Sequence, residues 1–227
     1  MNRANPGTPS EEKGGYYAKT RTEMFEFIPG NSKRLLDVGC AEGNFGAFVK
    51  ERLGAEVWGI EIDGAAAAVA QKKLDTVLVG DISTLLKKLP DGYFDCIVCN
   101  DVLEHLIDPY SVLRTFKQKL CVGGVIVFSL PNVRYFGNLK NLLVRKDWQY
   151  ADEGILDRTH LRFFTEKSIR KMFTQLGYAI VTMQGLRAIH TWKFSLLNLV
   201  VFGHLSDSRY LQFAGIATVE KNEARLS

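Results

Sequence analysis

Between residues 33 and 130, short apolar runs alternate with segments of helical periodicity, and this alternation constrains the fold more than any other feature. Predicted strands cover residues 33–38, 55–60, 76–79, 94–99 and 125–130, with predicted helices between them. Strands separated by such helices are typical of a parallel sheet with helices on both faces. The uninterrupted apolar run at 125–128 suits a strand that is covered on both faces. The sequence therefore predicts an α/β fold with a doubly wound, mostly parallel sheet.

The rhythm breaks after Pro131. Residues 132–165 have no strand signal and are predicted to form a helical cap insertion at the ligand edge of the sheet. Beyond them we expect a helix that begins at Thr165, strands at 178–183 and 210–219, and an apolar helix or loop at 192–202. These strands bring the sheet to seven. We expect residues 1–227 to form one domain, with an N-terminal helix within residues 10–30.

Composition excludes some classes of protein. A net charge of +4 is too small to indicate nucleic-acid binding. No apolar run approaches the length of a membrane span, and the polar N-terminus lacks an apolar signal core, so a cytoplasmic location is expected. The four cysteines form no second pair that would complete a zinc site, and we expect reduced thiols.

Carboxylates follow four of the five strands in the first half of the chain: Asp37, Glu61, Asp81 and Asp101. A turn of small residues at 39–43 lies between the first strand and its helix, where backbone N–H groups can face a ligand. Glu61 comes 22 positions after Gly39, the spacing of an acid that binds a ribose diol. The turn carries Glu42 and no cation. This arrangement favours a cationic nucleoside without phosphates, such as S-adenosylmethionine.

Four ordered motifs carry a resemblance to a known family. LLDVGCAEG at 35–43, GIEID at 59–63, GDI at 80–82 and DCIVCNDVLEH at 95–105 resemble the motifs of class I S-adenosylmethionine-dependent methyltransferases, which have a Rossmann-like fold. Ala41 stands where many members have Gly. A dehydrogenase that uses NAD(P) is the rival from another class, but positions 39, 41 and 44 read Gly, Ala and Asn instead of three glycines.

The resemblance implies a set of cofactor-binding residues. Gly39, Cys40, Ala41 and Gly43 would pass under the methionine part, Glu61 would hold the ribose hydroxyls, and Ile62 would pack on the adenine. Asp81 would accept from the adenine amino group, with Ile82 beside the ring, and Asn100 would face the sulfonium. The full set is Tyr17, Arg21, Asp37, Gly39, Cys40, Ala41, Gly43, Glu61, Ile62, Asp81, Ile82, Asn100 and Asp101. For Asp81 the alternative is a helix cap for residues 82–88.

Two histidines, His105 and His160, are the candidate catalytic bases, since imidazole titrates near neutrality. Asp101, Glu104 and His105 also resemble a cluster that binds a divalent metal in ubiquinone-pathway O-methyltransferases and in small-RNA 2′-O-methyltransferases. Many relatives with a similar segment use no metal, so we expect none and keep this set as the alternative. The segment around His160 resembles one in bacterial methyltransferases that are encoded with polysaccharide functions. The alternative is a structural His160 bonded to Asp157.

Charge in the cap suggests the acceptor. Residues 133–171 carry nine Lys or Arg against five Asp or Glu, which favours an anionic acceptor or, equally, a solvated face. We therefore expect a bacterial methyltransferase that uses S-adenosyl-L-methionine, releases S-adenosyl-L-homocysteine and methylates a hydroxyl of a sugar or nucleotide-sugar. The alternatives are a metal-assisted phenol or RNA 2′-O-methyltransferase and a non-catalytic cofactor-binding protein. Neither a nucleic-acid partner nor a membrane span is expected, and the sequence leaves the oligomeric state open.

Overall fold

Seven strands form one sheet in the order β3-β2-β1-β4-β5-β7-β6. The chain is described by a computed structural model that covers residues 21–220. Neighbouring strands from β3 to β5 pair in parallel, and β7 pairs antiparallel with both β5 and β6. The strands are β1 Arg34–Val38, β2 Glu56–Glu61, β3 Thr76–Val79, β4 Phe94–Asn100, β5 Leu120–Pro131, β6 Tyr178–Ala188 and β7 Tyr210–Val219. This sheet confirms the predicted α/β, Rossmann-like, doubly wound fold.

Helices connect the strands as the sequence pattern predicts. The α-helices are α1 Asn44–Leu53, α2 Gly64–Ala70, α3 Ile82–Leu85, α4 Pro109–Lys119, α5 Phe136–Lys140, α6 Glu166–Gln175 and α7 Trp192–Val200. Short polar side chains fix several helix starts, since a side-chain oxygen can accept from the free N–H groups there. Asp63 accepts from two amides of α2, and Thr165 and Ser168 bond reciprocally at the start of α6. Among residues 21–220, no helix is long and apolar enough to cross a membrane.

Both faces of the central strands are covered, as their uninterrupted apolar sequences predict. Successive side chains of a strand point to opposite faces, so neighbours in β1 join different cores. Leu36 and Ile97 pack in one core, while Leu35 and Val98 pack in the other. In the first core the rings of Phe128 and Phe173 stack with centroids 4.4 Å apart. The two cores together hold the carboxyl ends of β1, β2 and β4 side by side.

The cap insertion contains less regular structure than the strands. After α5, residues Asn141–Arg145 form one π-helical turn, and isolated bridges join Ala151 to Asp157 and Asn132 to Phe164. The stretch left open as helix or loop at 192–202 is largely the helix α7. Within the predicted N-terminal helix, Thr22–Phe27 is a 3-10 helix; the earlier part, with Tyr17, lies outside the described residues. All four cysteines are free thiols, as expected.

Candidate active site

The turn after β1 lies across the end of β2. The amides of Gly39 and Cys40 both donate to the carbonyl of Ile60, at 2.8 and 3.0 Å. Gly39 has φ +69°, and a Cβ there would lie 2.8 Å from Cγ2 of Val102. Ala41 also adopts a left-handed conformation, with φ +49°, which is strained for a residue with a side chain. The turn is therefore held against β2 and approached closely from β4.

Glu61 is anchored by the backbone of this turn. Its carboxylate is 5% exposed, and its two oxygens accept from the amides of Ala41 at 2.8 Å and Asp63 at 2.9 Å. A carboxylate oxygen has two acceptor sites, so each oxygen keeps one for a ligand. The adjacent Ile62 is 70% exposed. An oriented acid and an exposed apolar surface thus lie next to each other at the end of β2.

Asp37 is buried at the end of β1. Burial, with the nearby charge of Glu61, raises the pKa of Asp37 from 3.8 to about 7. Its Oδ2 has no hydrogen-bond partner within the described chain. Burial and the same two carboxylates raise the pKa of the Cys40 thiol, which keeps it protonated and unreactive.

Asp81 caps α3, as the alternative reading of its position predicted. Its Oδ1 accepts from the amide of Ser83 at 2.7 Å and from the Ser83 hydroxyl at 2.5 Å. It also borders a cavity of about 790 Å³ that reaches His105 along α3 and α4. Ile82 is buried and packs in the apolar core, so its side chain does not form an open surface beside the site.

Asp101 is turned away from the cluster in which the sequence pattern placed it. It adopts φ +52°, its Oδ1 accepts from the Ser129 hydroxyl at 2.8 Å, and its Oδ2 pairs with Arg21. Nε of Arg21 donates to Glu23 at 2.7 Å. The guanidinium of Arg21, one of the residues predicted to bind the cofactor, is therefore bound to protein carboxylates through two of its three nitrogens.

Three buried polar atoms at this edge lack partners among residues 21–220. They are Asp37 Oδ2, Asn100 Oδ1 and Arg21 Nη2. Asp37 and Asn100 belong to the neighbouring strands β1 and β4, and Arg21 reaches the same place through Asp101. A buried polar atom without a hydrogen bond costs about 1–3 kcal/mol. One donor and two acceptors suit the carboxylate and ammonium of an amino-acid moiety, so these residues fit the methionine end of S-adenosylmethionine.

Both candidate bases lie in one cluster, together with Glu104. One ligating atom from each of Glu104, His105 and His160 lies within 4.8 Å of the others. The two imidazole rings meet edge to face with centroids 4.6 Å apart, and Nε2 of His160 is 4.0 Å from Glu104 Oε1. Glu104 is 1% exposed and neither of its oxygens has a hydrogen-bond partner in the described chain. This cluster contains His160 in place of Asp101.

Hydrogen bonds fix the tautomers of both histidines. Nδ1 of His160 donates to the carbonyl of Ile155 at 2.9 Å. The Thr159 hydroxyl donates to Asp157 Oδ1 at 2.6 Å, so it can only accept from Nδ1 of His105, 3.0 Å away. In the neutral form, each ring therefore carries its proton on Nδ1 and leaves the lone pair on Nε2.

Burial controls the charges in this cluster. It raises the pKa of Glu104 well above the usual range, and the Asp101 carboxylate adds to this effect. Burial and the neighbouring His160 lower the pKa of His105, which keeps that imidazole neutral. Neutral imidazoles are the form that accepts a proton or binds a metal.

Sequence reasoning missed the roles of Asp157 and Thr159. The alternative of a structural His160 bonded to Asp157 holds only for the backbone, where the His160 amide donates to the Asp157 carbonyl at 3.0 Å. The Asp157 carboxylate binds Thr159, which in turn orients His105. The available signal was the density of polar residues at 157–160, directly before the cap returns to the sheet. The sequence did not reveal that His105 and His160, 55 positions apart, meet at one place.

The sheet order, the glycine turn and the anchored acid at the end of β2 define a class I methyltransferase. Residues 11–183 match the family model described as a methyltransferase domain, and the chain belongs to this family. The enzyme is an S-adenosylmethionine-dependent methyltransferase, and its cofactor is S-adenosyl-L-methionine.

Relatives with assigned functions support the same class. The chain is 31% identical over 163 residues to a ubiquinone biosynthesis O-methyltransferase of Chromobacterium violaceum, an alignment that covers 68% of each chain. A protein of the same name from Pasteurella multocida is 32% identical over 114 residues, which is 44% of this chain and 47% of that relative.

Solved structures support the fold alone. A methyltransferase from Archaeoglobus fulgidus gives a TM-score of 0.65 at 22% identity, covering 90% of this chain and 93% of that one. A methyltransferase from Mesorhizobium loti gives 0.60 at 18% identity, covering 86% and 95%.

Proposed function

We propose that this methyltransferase transfers the methyl group to a hydroxyl oxygen of a small molecule. The observation that carries the proposal is the meeting of His105 and His160 at the carboxyl edge of the sheet, each with a free Nε2. A neutral imidazole at this place is suited to accept the proton of a hydroxyl group. The relatives named as O-methyltransferases agree with an oxygen acceptor.

The cofactor roles proposed for this chain follow the contacts above. Glu61 accepts from the ribose hydroxyls through its free lone pairs, and Ile62 covers one face of the adenine. Asp81 accepts from the adenine amino group while it caps α3. Asn100 and Arg21 bind the amino-acid end, where their unpaired atoms lie.

The protein acts mainly by positioning and by removing one proton. When bound, S-adenosylmethionine supplies a methyl group on a positively charged sulfur. The glycine turn and Glu61 hold the cofactor side of the site, and the histidine pair faces the acceptor side. Nε2 of one histidine would accept the proton of the acceptor hydroxyl, whose oxygen would receive the methyl group. The methyl–sulfur bond would break, and neutral S-adenosylhomocysteine would leave. Orientation of this kind accounts for a large part of the barrier reduction in transfer reactions.

For the acceptor we propose a hydroxyl compound that carries negative charge, such as a phosphorylated or nucleotide-linked sugar. Lys140, Arg145 and Lys146 lie exposed on the cap, and none of them pairs with a carboxylate among residues 21–220. Uncompensated cations near an active site raise the local concentration of anionic substrates.

Cofactor binding is tested first. S-adenosylhomocysteine is titrated by calorimetry into the wild-type protein, Glu61→Gln and the control Glu51→Gln, with NAD⁺ as a second ligand. Glu51 is an exposed acid on α1. We expect Glu61→Gln to weaken binding at least tenfold and Glu51→Gln to leave it unchanged. Equal affinities for all three proteins would contradict the role of Glu61.

The acceptor is tested by a screen that follows methyl transfer by mass spectrometry. The screen contains sugar nucleotides, sugar phosphates, phenols and RNA. We expect oxygen-methylated products and at least a hundredfold loss in a His105→Gln, His160→Gln double variant that still binds S-adenosylhomocysteine. Cofactor binding without turnover of any acceptor would favour the non-catalytic alternative.

A metal-assisted reaction is the second candidate, and the unpaired Glu104 favours it. One carboxylate and two imidazoles are a suitable donor set for a divalent cation, and the imidazoles favour Mn²⁺ or Zn²⁺ over Mg²⁺. A bound cation would lower the pKa of an acceptor hydroxyl. Calorimetric titration of metal-free protein with Mn²⁺ tests this without an activity assay. Binding that is lost in Glu104→Gln supports the metal, and no binding to the wild-type protein refutes it.

A further inference from the structure

The helix α7 shows its apolar side to solvent. Trp192, Leu196, Leu199 and Val200 are between 53% and 72% exposed, whereas Phe194 is buried. Residues i, i+4, i+7 and i+8 lie on one face of a helix, and these four side chains have that spacing. A surface helix normally turns such a face toward the core, so α7 presents an apolar surface that the described chain leaves uncovered.

A second exposed apolar segment lies on the cap, in the chain that leaves the same edge of the sheet. Leu142, Leu143 and Val144 are 44%, 73% and 71% exposed on the π-helical turn that follows α5. The ring of Phe136 on α5 contacts that of Phe194 on α7, with centroids 5.3 Å apart. We call these two exposed segments together the apolar cap face. It consists of Leu142, Leu143, Val144, Trp192, Leu196 and Leu199.

The apolar cap face lies at the same edge of the sheet as the candidate active site. It follows the carboxyl end of β5 and precedes the amino end of β7, and these ends pair with each other at Pro131 and Gln212. Arg134 ties the two segments by bonding Asp207 at 2.6 Å and the carbonyl of His204 at 3.0 Å.

Cations predominate around this surface, with Asp147 and the Arg134-bound Asp207 directly beyond its two segments. Residues 132–146 and 188–206 contain no Asp or Glu. Lys140, Arg145, Lys146 and Lys193 are exposed there, and no carboxylate within residues 21–220 pairs with them. An apolar surface with a rim of cations is complementary to anionic lipid headgroups above acyl chains. A symmetric contact with a second copy would instead bring these cations close to each other.

We propose that the apolar cap face docks on the surface of a bilayer containing anionic phospholipids. Trp192 and the leucines enter the boundary between headgroups and acyl chains, and the four cations contact the lipid phosphates. Docking in this way brings the carboxyl edge of the sheet close to the membrane surface.

The test is co-sedimentation of the full chain with large unilamellar vesicles. One set contains phosphatidylcholine alone, and the other contains phosphatidylcholine mixed with phosphatidylglycerol. Two double variants change the surface: Leu196→Glu with Leu199→Glu, and Lys146→Glu with Lys193→Glu. The controls are Val122→Glu and Lys72→Glu, two exposed positions near the opposite edge of the sheet.

We expect the wild-type protein to sediment with the anionic vesicles and not with the neutral ones. The double leucine variant should lose this binding, and the double lysine variant should bind at least about 25-fold more weakly, while both controls bind as the wild type does. Circular dichroism and binding of S-adenosylhomocysteine confirm that every variant is folded.

Three outcomes overturn the proposal. They are no sedimentation with anionic vesicles, equal sedimentation with neutral vesicles, and equal loss of binding in the controls. Sedimentation velocity adds a fourth: a dimer that disappears in the double leucine variant would assign the face to a second copy.

Discussion

Replacement of Asp37 by Asn tests the electrostatics of the cofactor edge most directly. Asp37 is 3% exposed, one of its oxygens has no partner among residues 21–220, and its pKa rises from 3.8 to about 7. Between pH 3.8 and about pH 7, the Asp37 carboxyl therefore keeps its proton in the folded protein, whereas the same carboxyl is ionised in the unfolded chain. The stability from this proton is complete below pH 3.8 and is lost progressively as the pH rises to about 7.

The magnitude follows from the pKa difference. A tenfold difference in proton affinity corresponds to about 1.4 kcal/mol, so the full range is worth about 4 kcal/mol. In an experiment from pH 5 to pH 8, the wild type loses this stability only between pH 5 and about pH 7, and the loss amounts to about 3 kcal/mol. The neutral amide in Asp37→Asn removes this dependence. From pH 5 to pH 8, the free energy of unfolding of Asp37→Asn should therefore rise by about 3 kcal/mol relative to that of the wild type.

The assay is urea unfolding followed by circular dichroism at intervals of pH, for the wild type, Asp37→Asn and the control Asp152→Asn. Asp152 is an almost fully exposed acid on the cap. The reasoning is refuted if the difference in free energy of unfolding between the wild type and Asp37→Asn stays constant from pH 5 to pH 8, or if Asp152→Asn shows the same change.

Three further predictions follow from the turn, the core and the histidine pair. Gly39→Ala should destabilise the protein by about 1–2 kcal/mol through its positive φ and weaken binding of S-adenosylhomocysteine, and adding Val102→Ala should relieve the contact but not the backbone strain. Phe173→Ala should cost about 3–5 kcal/mol in urea unfolding, since it leaves a cavity against Phe128. Thr159→Val should lower kcat at least about tenfold without weakening binding of S-adenosylhomocysteine, because His105 Nδ1 then keeps only its longer contact with the Thr159 carbonyl, at 3.3 Å, and the ring is held less firmly.

Each of these predictions has a result that contradicts it. Normal stability in Gly39→Ala would mean that the turn does not need a left-handed conformation at this position. A loss below 1 kcal/mol in Phe173→Ala would show that the core refills the space. Thr159→Ser keeps the hydroxyl and should restore kcat, so equal losses in the Ser and Val variants would exclude the proposed orientation of His105.

The fold could be predicted from sequence because its signals are local. Each strand of the first half is a short apolar run, and three of the helices that follow begin at a capping side chain: Asp63, Asp81 and Asp108. The antiparallel placement of β7 between β5 and β6 has no local signal. The residues of a strand do not show which strands it pairs with or in which direction. The sequence pattern predicted β6 and β7 as strands but not their positions in the sheet.

The site was less accessible to sequence reasoning. The resemblance grouped Asp101 with Glu104 and His105, but the backbone of Asp101 is left-handed and its carboxylate pairs with Arg21. His160 joins the cluster through tertiary contacts over 55 positions, which no spacing rule describes. The apolar residues of α7 likewise form a regular helical face, yet periodicity alone does not tell whether a face is buried or exposed.

One contact links the cap to the reaction itself. The carbonyl of Glu104 accepts from the amides of both Leu161 and Arg162, at 2.9 and 3.0 Å, immediately after His160. These two bonds join the segment that carries His160 to the backbone of the residue beside His105. The spacing of the two imidazoles is therefore set by main-chain bonds between distant parts of the sequence as well as by their own side chains.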